Sequence, residues 1–235
     1  MRWWYVPGVL AVMLAAPMAR AQAPAAQGPS MQVLTDADLH LTFSYPADLQ
    51  PMNPQTLANA TSNSRFGTNS GENTDTAQPG ACGKVLLSVG EVTEGNNGKA
   101  WGILTLLDVG SSCIPPKALK SKRAMDALLK PLVIGGTEVL GMMPLGPETT
   151  YLIQGHKVYF AGAQGQPVAK SDLQPTEQTQ TITHMAVALG DHILLWKVES
   201  NNTGLLNRIL ASRVDFGAGP PEPLFPGRLQ NDLQF

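Results

Sequence analysis

Histidines, cysteines and one run of cations are the residues of this chain whose types could do chemistry. The four histidines, His40, His156, His184 and His192, are scattered. None stands in H-x-x-x-H or H-E-x-x-H spacing, which would set two ligands on one helix face. His184 and His192 flank a Gly190-Asp191 turn, but a hairpin centred on that turn does not place them opposite each other. They read as surface or strand-edge histidines. The alternative is a zinc or copper site from dispersed ligands, with Met185 assisting. No G-x-S-x-G elbow occurs, and the glycine-rich pieces "VIGGTEVLG" and "AGAQGQP" lack the lysine and spacing of a phosphate loop. No cofactor and no catalytic residue is nominated, and an enzyme is expected only if its catalytic groups are dispersed.

Cys82 and Cys113 are the two cysteines. They bracket two β-prone runs, "KVLLSVGEV" and "WGILTLLDV", joined through an Asn97-Gly98 turn signal. Partners in an antiparallel hairpin have a constant sum of residue numbers. For the cysteines that sum is 195, which centres between Asn97 and Gly98. The pair is expected to face across the open end of the hairpin as a structural disulfide. Closing a loop of about 30 residues would stabilise by roughly 3 kcal/mol. A redox pair is the competing reading, but no C-x-x-C arrangement is present to depress a thiol pKa.

The segment "KALKSKRAMDALLK" carries Lys117, Lys120, Lys122, Arg123 and Lys130 against one acid, Asp126. A solvated helix face is one reading. The sharper one is an electrostatic docking face for an acidic envelope protein or anionic lipid headgroups.

The surroundings of these residues follow from the rest of the chain. Residues 1–21 open with Arg2, run apolar through Leu14 and end Ala19-Arg20-Ala21. That is the pattern of a signal peptide cut after Ala21, with export to the periplasm or the medium. The apolar run is short for a membrane span, and the segment has no cysteine for acylation. Removing it lowers the basic residues from 16 to 14 against 18 acidic, a net charge of −4. Such a balance argues against general nucleic-acid binding. Residues 22–30 read as a flexible lead-in, 31–216 as one domain, 58–81 as a long polar loop and 217–235 as a loose Pro-rich tail. Leu229, Leu233 and Phe235 look like the closing strand of an outer-membrane barrel, but Asn231 breaks the alternation and the companion strands are missing.

Within the domain, "LHLTFSYP" places Leu39, Leu41, Phe43 and Tyr45 on one face of a strand. Pro115-Pro116 introduce a helix through about Leu132, with Met125, Leu128, Leu129 and Leu132 facing the core and Gly135-Gly136 stopping it. Hairpins are expected at "TYLIQGHKVYFAGA" and around Gly190-Asp191. A capped helix is expected at "ESNNTGLLNRIL". Antiparallel hairpins with inserted helices make an α+β fold, a mainly antiparallel sheet with flanking helices.

The strand ending "FSYPADL", the middle hairpin followed by a helix, "GHKVYFAGA" and the closing "ALGDHILLWKVESNNTGLLNRILASRVDF" together resemble the PsbP-like fold. That fold is shared by an extrinsic photosystem II subunit, a Ran-binding nuclear transport factor and bacterial DcrB-type envelope proteins. The resemblance spans about residues 31–216 and implies an α/β/α sandwich. Most members are binding or assembly factors. The expected function is therefore a non-catalytic binding or assembly module. A small-ligand or metal carrier, or an enzyme with dispersed residues, is the alternative.

Overall fold

The computed structural model describes residues 30–52, 83–95, 98–168 and 178–225. The expected signal peptide, the lead-in up to residue 29, the polar loop at 58–81 and Cys82 lie outside the described residues. The fold is α+β and mostly antiparallel sheet. In chain order it comprises β1 (Met31–Asp36), β2 (Leu41–Pro46), β3 (Gln50–Pro51), β4 (Lys84–Gly95) and β5 (Gly98–Val109). A 3-10 turn at Ser111–Cys113 follows, then α1 (Pro116–Leu119) and α2 (Lys122–Thr137). β6 (Met142–Pro144), β7 (Thr149–Ile153), β8 (His156–Gly165), β9 (Gln180–Leu189) and β10 (His192–Ser200) follow those helices. The described chain closes with α3 (Thr203–Ile209), β11 (Arg213–Asp215) and β12 (Glu222–Pro223).

Eight strands form the main sheet in the order β3-β4-β5-β10-β9-β8-β6, with β7 also paired to β8. A smaller sheet runs β1-β2-β11-β12. Alternation along the strands gives the main sheet two apolar faces. On one, Leu194, Trp196 and Val198 of β10 join Leu104 and Leu106 of β5 and Met185 of β9. The small sheet and α3 cover this face through Phe43, Val214, Leu206 and Ile209. On the other, Ile193 and Leu195 of β10, Ala186 and Tyr159 pack under Met125, Leu129 and Val133 of α2. The main sheet thus lies between a helical layer and a second layer of small sheet plus α3. All four alternating residues predicted from "LHLTFSYP" are buried. Trp196 packs on the Leu194 side of the sheet, beside Phe43 and Phe216.

Local chemistry explains the turns. Gln154 and Gly155 both have positive φ, as a type I′ hairpin between β7 and β8 requires. Gly190 takes φ 60° between β9 and β10, and His192 pairs with Leu189 across that turn. Asn202 caps α3, accepting from the Leu205 amide at 3.0 Å.

Three expectations need correction. The β4–β5 register closes with Gly95 opposite Gly98, one position earlier than an Asn97-Gly98 turn requires. A bulge between Val85 and Leu87 shifts it again, so the constant sum of 195 does not hold. The predicted single helix is split, because the Ser121 hydroxyl accepts from the Ala124 amide at 3.4 Å and starts α2 afresh. Gly135-Gly136 do not stop it; α2 runs to Thr137. Val133 and Gly136 are buried against the fold, and that packing outweighs a helix-propensity cost of about 1 kcal/mol per glycine. Finally, the first part of the supposed loose tail is built into the fold. Leu224 and Phe225 are fully buried, and the Leu224 carbonyl accepts from the Tyr151 hydroxyl at 2.9 Å.

Candidate functional site

The basic segment lies on α1 and α2, the layer over one face of the main sheet. The apolar stripe of α2 faces Ala186 and Tyr159, so the charged positions turn outward. Lys117, Lys120, Lys122, Arg123 and Lys130 are all exposed. Two acids in or near the segment are paired, one with a strand lysine and one with Lys130 of the segment itself. Asp126 is held by Lys157 of β8, Nζ to Oδ2 3.3 Å, and the same ammonium lies 4.6 Å from the Tyr159 ring centroid. Glu148 pairs with Lys130, which holds its carboxyl below the usual range. Among the described residues no carboxylate forms an ion pair with Lys117, Lys120, Lys122 or Arg123. Four uncompensated cations therefore fall within seven residues, on a chain whose net charge is −2.

Elsewhere most described cations are engaged, Lys84 being an exposed exception without an ion pair among the described residues. Lys99 pairs with Glu94, Lys197 with Glu199, and Arg208 of α3 with both Asp48 and Glu91. Arg213 donates to the Pro221 carbonyl, tying β11 to the chain entering β12. The sequence showed the basic run as a cluster. That its only acid is diverted to β8 depends on a non-local contact and had no sequence signal.

Cys113 ends the 3-10 turn between β5 and α1, its amide donating to the Gly110 carbonyl at 3.0 Å. No cysteine among the described residues is free.

The four histidines do not converge. His40 sits at φ 49° in the β1–β2 turn, and His156 meets Phe216 edge-on at 5.0 Å. His184 and His192 point to opposite faces of the sheet, because His184 pairs with Lys197 and His192 with Leu189. Met185 belongs to the Trp196 cluster, on the face away from His184. Among the described residues no three His, Cys, Asp or Glu side chains come together as metal ligands.

Two polar pairs escaped the sequence reading. Lys197 Nζ lies 2.8 Å from Glu199 Oε1, with side chains 11% and 4% exposed. Both share a face of β10 with Ile193 and Leu195, a polar interruption of an apolar alternation that the sequence does display. Beside them, burial and the Lys197 ammonium push the His184 imidazole well below its ordinary pKa. Asp108 Oδ1 lies 2.8 Å from His192 Nδ1, and Asp191 Oδ1 lies 3.6 Å from Nε2. A carboxylate-oriented imidazole is half of a nucleophilic site. Among the described residues no hydroxyl or thiol hydrogen-bonds to His192, so this pair reads as a tie between β5 and β10.

A polar cleft of about 120 Å³ opens where Thr181, Ser200, Asn201 and Thr203 meet. Its Ser200 and Asn201 side chains are committed to structure. Ser200 Oγ donates to the Trp101 carbonyl at 2.8 Å, and Asn201 accepts from the Trp101 amide at 2.7 Å.

No family model and no curated relative matches this chain. Its function must therefore be read from its own residues. No helix among the described residues is long and apolar enough to cross a membrane.

Proposed function

We propose that this chain is an exported, non-catalytic binding or assembly module of the cell envelope that docks through the basic surface of α1 and α2. One observation carries the reading. Lys117, Lys120, Lys122 and Arg123 are exposed and lack ion-pair partners among the described residues, while most of the other described cations are paired within the fold. Like charges held together on a folded surface repel each other, and an anionic partner relieves that repulsion on binding. Buried Met125, Leu129 and Val133 seat α2 beneath Lys122 and Arg123, and buried Ala118 seats α1 beside Lys117 and Lys120.

The PsbP-like α/β/α sandwich belongs to this proposal. In support stand the helical layer on one face of an antiparallel sheet and α3 on the other. Export to the periplasm or medium after cleavage behind Ala21, and a Cys82–Cys113 staple, complete it. They rest on the signal-like residues 1–21 and on the two-cysteine count.

The test is affinity capture from the envelope fraction with wild type and a variant in which Lys117, Lys120, Lys122 and Arg123 are all glutamine. The reading expects retention that weakens with salt and disappears in the variant at unchanged melting temperature. Equal retention by the variant removes the basic face from the function. Saturable thermal stabilisation by a metal or small molecule would instead support the carrier reading.

A further inference from the structure

We propose that the basic surface of α1 and α2 is a peripheral docking site for a phospholipid bilayer bearing anionic headgroups. This rests on the docking-face reading above and names its partner. Three observations point to a bilayer over an acidic protein.

The first is residue type. Three of the four unpaired cations are lysines, Lys117, Lys120 and Lys122, with Arg123 alone able to make a planar bidentate contact. Protein interfaces are enriched in arginine and depleted of lysine. A diffuse anionic surface needs only point charges brought within a Debye length, and lysine supplies them.

The second is placement. Leu119 lies between Lys117 and Lys120 in sequence and is 39% exposed, the one large exposed apolar side chain inside the basic segment, although Leu140, Met143 and Leu152 elsewhere are more exposed. Leucine among lysines is the composition of an interfacial segment, in which the apolar side chain enters the headgroup boundary and the ammonium groups remain at phosphate level.

The third is charge balance. Asp126 is paired with Lys157 and Glu148 with Lys130, so neither acid forms an ion pair with the four cations. The rest of the chain carries an excess of acid. Among the described residues this is the one cluster of four unpaired cations, so it is the face that an anionic bilayer attracts most strongly.

Each cation near such a surface favours partitioning by about fivefold. Four together contribute on the order of several-hundred-fold, which is reversible attachment without a spanning helix. The experiment is sedimentation of the purified full chain with large vesicles, either pure phosphatidylcholine or phosphatidylcholine with about one-third phosphatidylglycerol. Binding to the anionic vesicles alone, abolished by salt, is expected. Substituting K117Q, K120Q, K122Q and R123Q together should remove it, with the melting temperature confirming that the variant is folded. L119S should weaken binding by a few-fold and leave its dependence on salt intact.

No binding to anionic vesicles at low salt overturns the proposal, as does equal binding to neutral vesicles, which marks an apolar anchor. Retention by the fourfold variant overturns it too. If vesicles fail while an acidic protein is still captured through the same four residues, the bilayer is the wrong partner and the docking face stands. If capture also ignores those residues, both readings fall.

Discussion

Arg208 on α3 and the four cations of α1 and α2 sit over opposite faces of one sheet, and the fold treats them in opposite ways. Arg208 reaches two carboxylates, Asp48 and Glu91, and so fastens α3 to the β3–β4 edge. Lys117, Lys120, Lys122 and Arg123 reach none among the described residues. Both layers bury apolar residues on the sheet through Leu206 and Ile209 on one side and Leu129 and Val133 on the other. Packing alone does not separate them. What differs is whether the charge is consumed by the fold. A charge answered within the fold is framework, and a charge left unanswered is available to a partner.

The largest effect that sharpens the contrast is expected from Ile209→Ala. Ile209 is fully buried, and its truncation should cost about 2 to 5 kcal/mol in denaturant unfolding. Capture per folded molecule should not change, because α3 takes no part in docking. Loss of capture at matched folded fraction would break the division of labour.

Cys113→Ser should cost roughly 3 kcal/mol if Cys82 and Cys113 form the proposed staple. Cys113 stands at the root of α1, so loosening it should act on the docking layer first. An intact-mass comparison before and after reduction and alkylation decides whether the bond exists. Two alkylated thiols without reduction would remove the staple.

His184 tests the same layer by pH. Its imidazole is held neutral in the fold by burial, with the Lys197 ammonium adding to the effect. The unfolded chain takes up a proton near pH 6.5, while the folded chain does not until well below that. Stability should therefore be fully present above about pH 6.5 and fall below it, by up to about 1.4 kcal/mol per pH unit from this one group. His184→Asn should flatten that part of the profile relative to wild type. An unchanged slope would show that the imidazole protonates without penalty.

Smaller still is the direct comparison of charges. Arg208→Ala should cost about 1 kcal/mol, since the guanidinium is partly exposed and solvent screens its pairs. Each glutamine replacement at Lys117, Lys120, Lys122 and Arg123 should change stability by less than about 0.5 kcal/mol. If the fourfold variant destabilised more than Arg208→Ala, those cations would be framework after all.

Patterns carried by consecutive residues were legible in the sequence. Leu39, Leu41, Phe43 and Tyr45 showed their common face by alternation, the segment before Leu205 the presence of a helix cap though not which residue makes it, and Gly190-Asp191 its turn by composition. Features set by distant partners were not legible. The hairpin register departs from expectation first at the turn, where Gly95 and not Asn96 begins the pairing, and a bulge near Val85 shifts it again. The continuation of α2 through Gly135-Gly136 depended on packing that local propensity does not include. The cationic cluster could be read, but its lack of compensation could not, because Asp126 is claimed by Lys157 from a strand thirty-one positions away. Asp108 and His192 likewise meet only because β5 pairs with β10. Lys197 and Glu199 are the exception. Two charges on the apolar register of β10 are a visible break in pattern, and they mark a buried ion pair.

The central claim is that the basic face of α1 and α2 is where this molecule meets its partner. Lysine-acetylation footprinting tests it most directly, with the folded chain labelled alone and then in the presence of the envelope fraction at low salt. The account predicts selective protection of Lys117, Lys120 and Lys122, reversed by salt, while Lys84 and Lys99 remain as reactive as before. Protection at Lys84 or Lys99 with Lys117, Lys120 and Lys122 unchanged would contradict it and place the contact elsewhere on the fold.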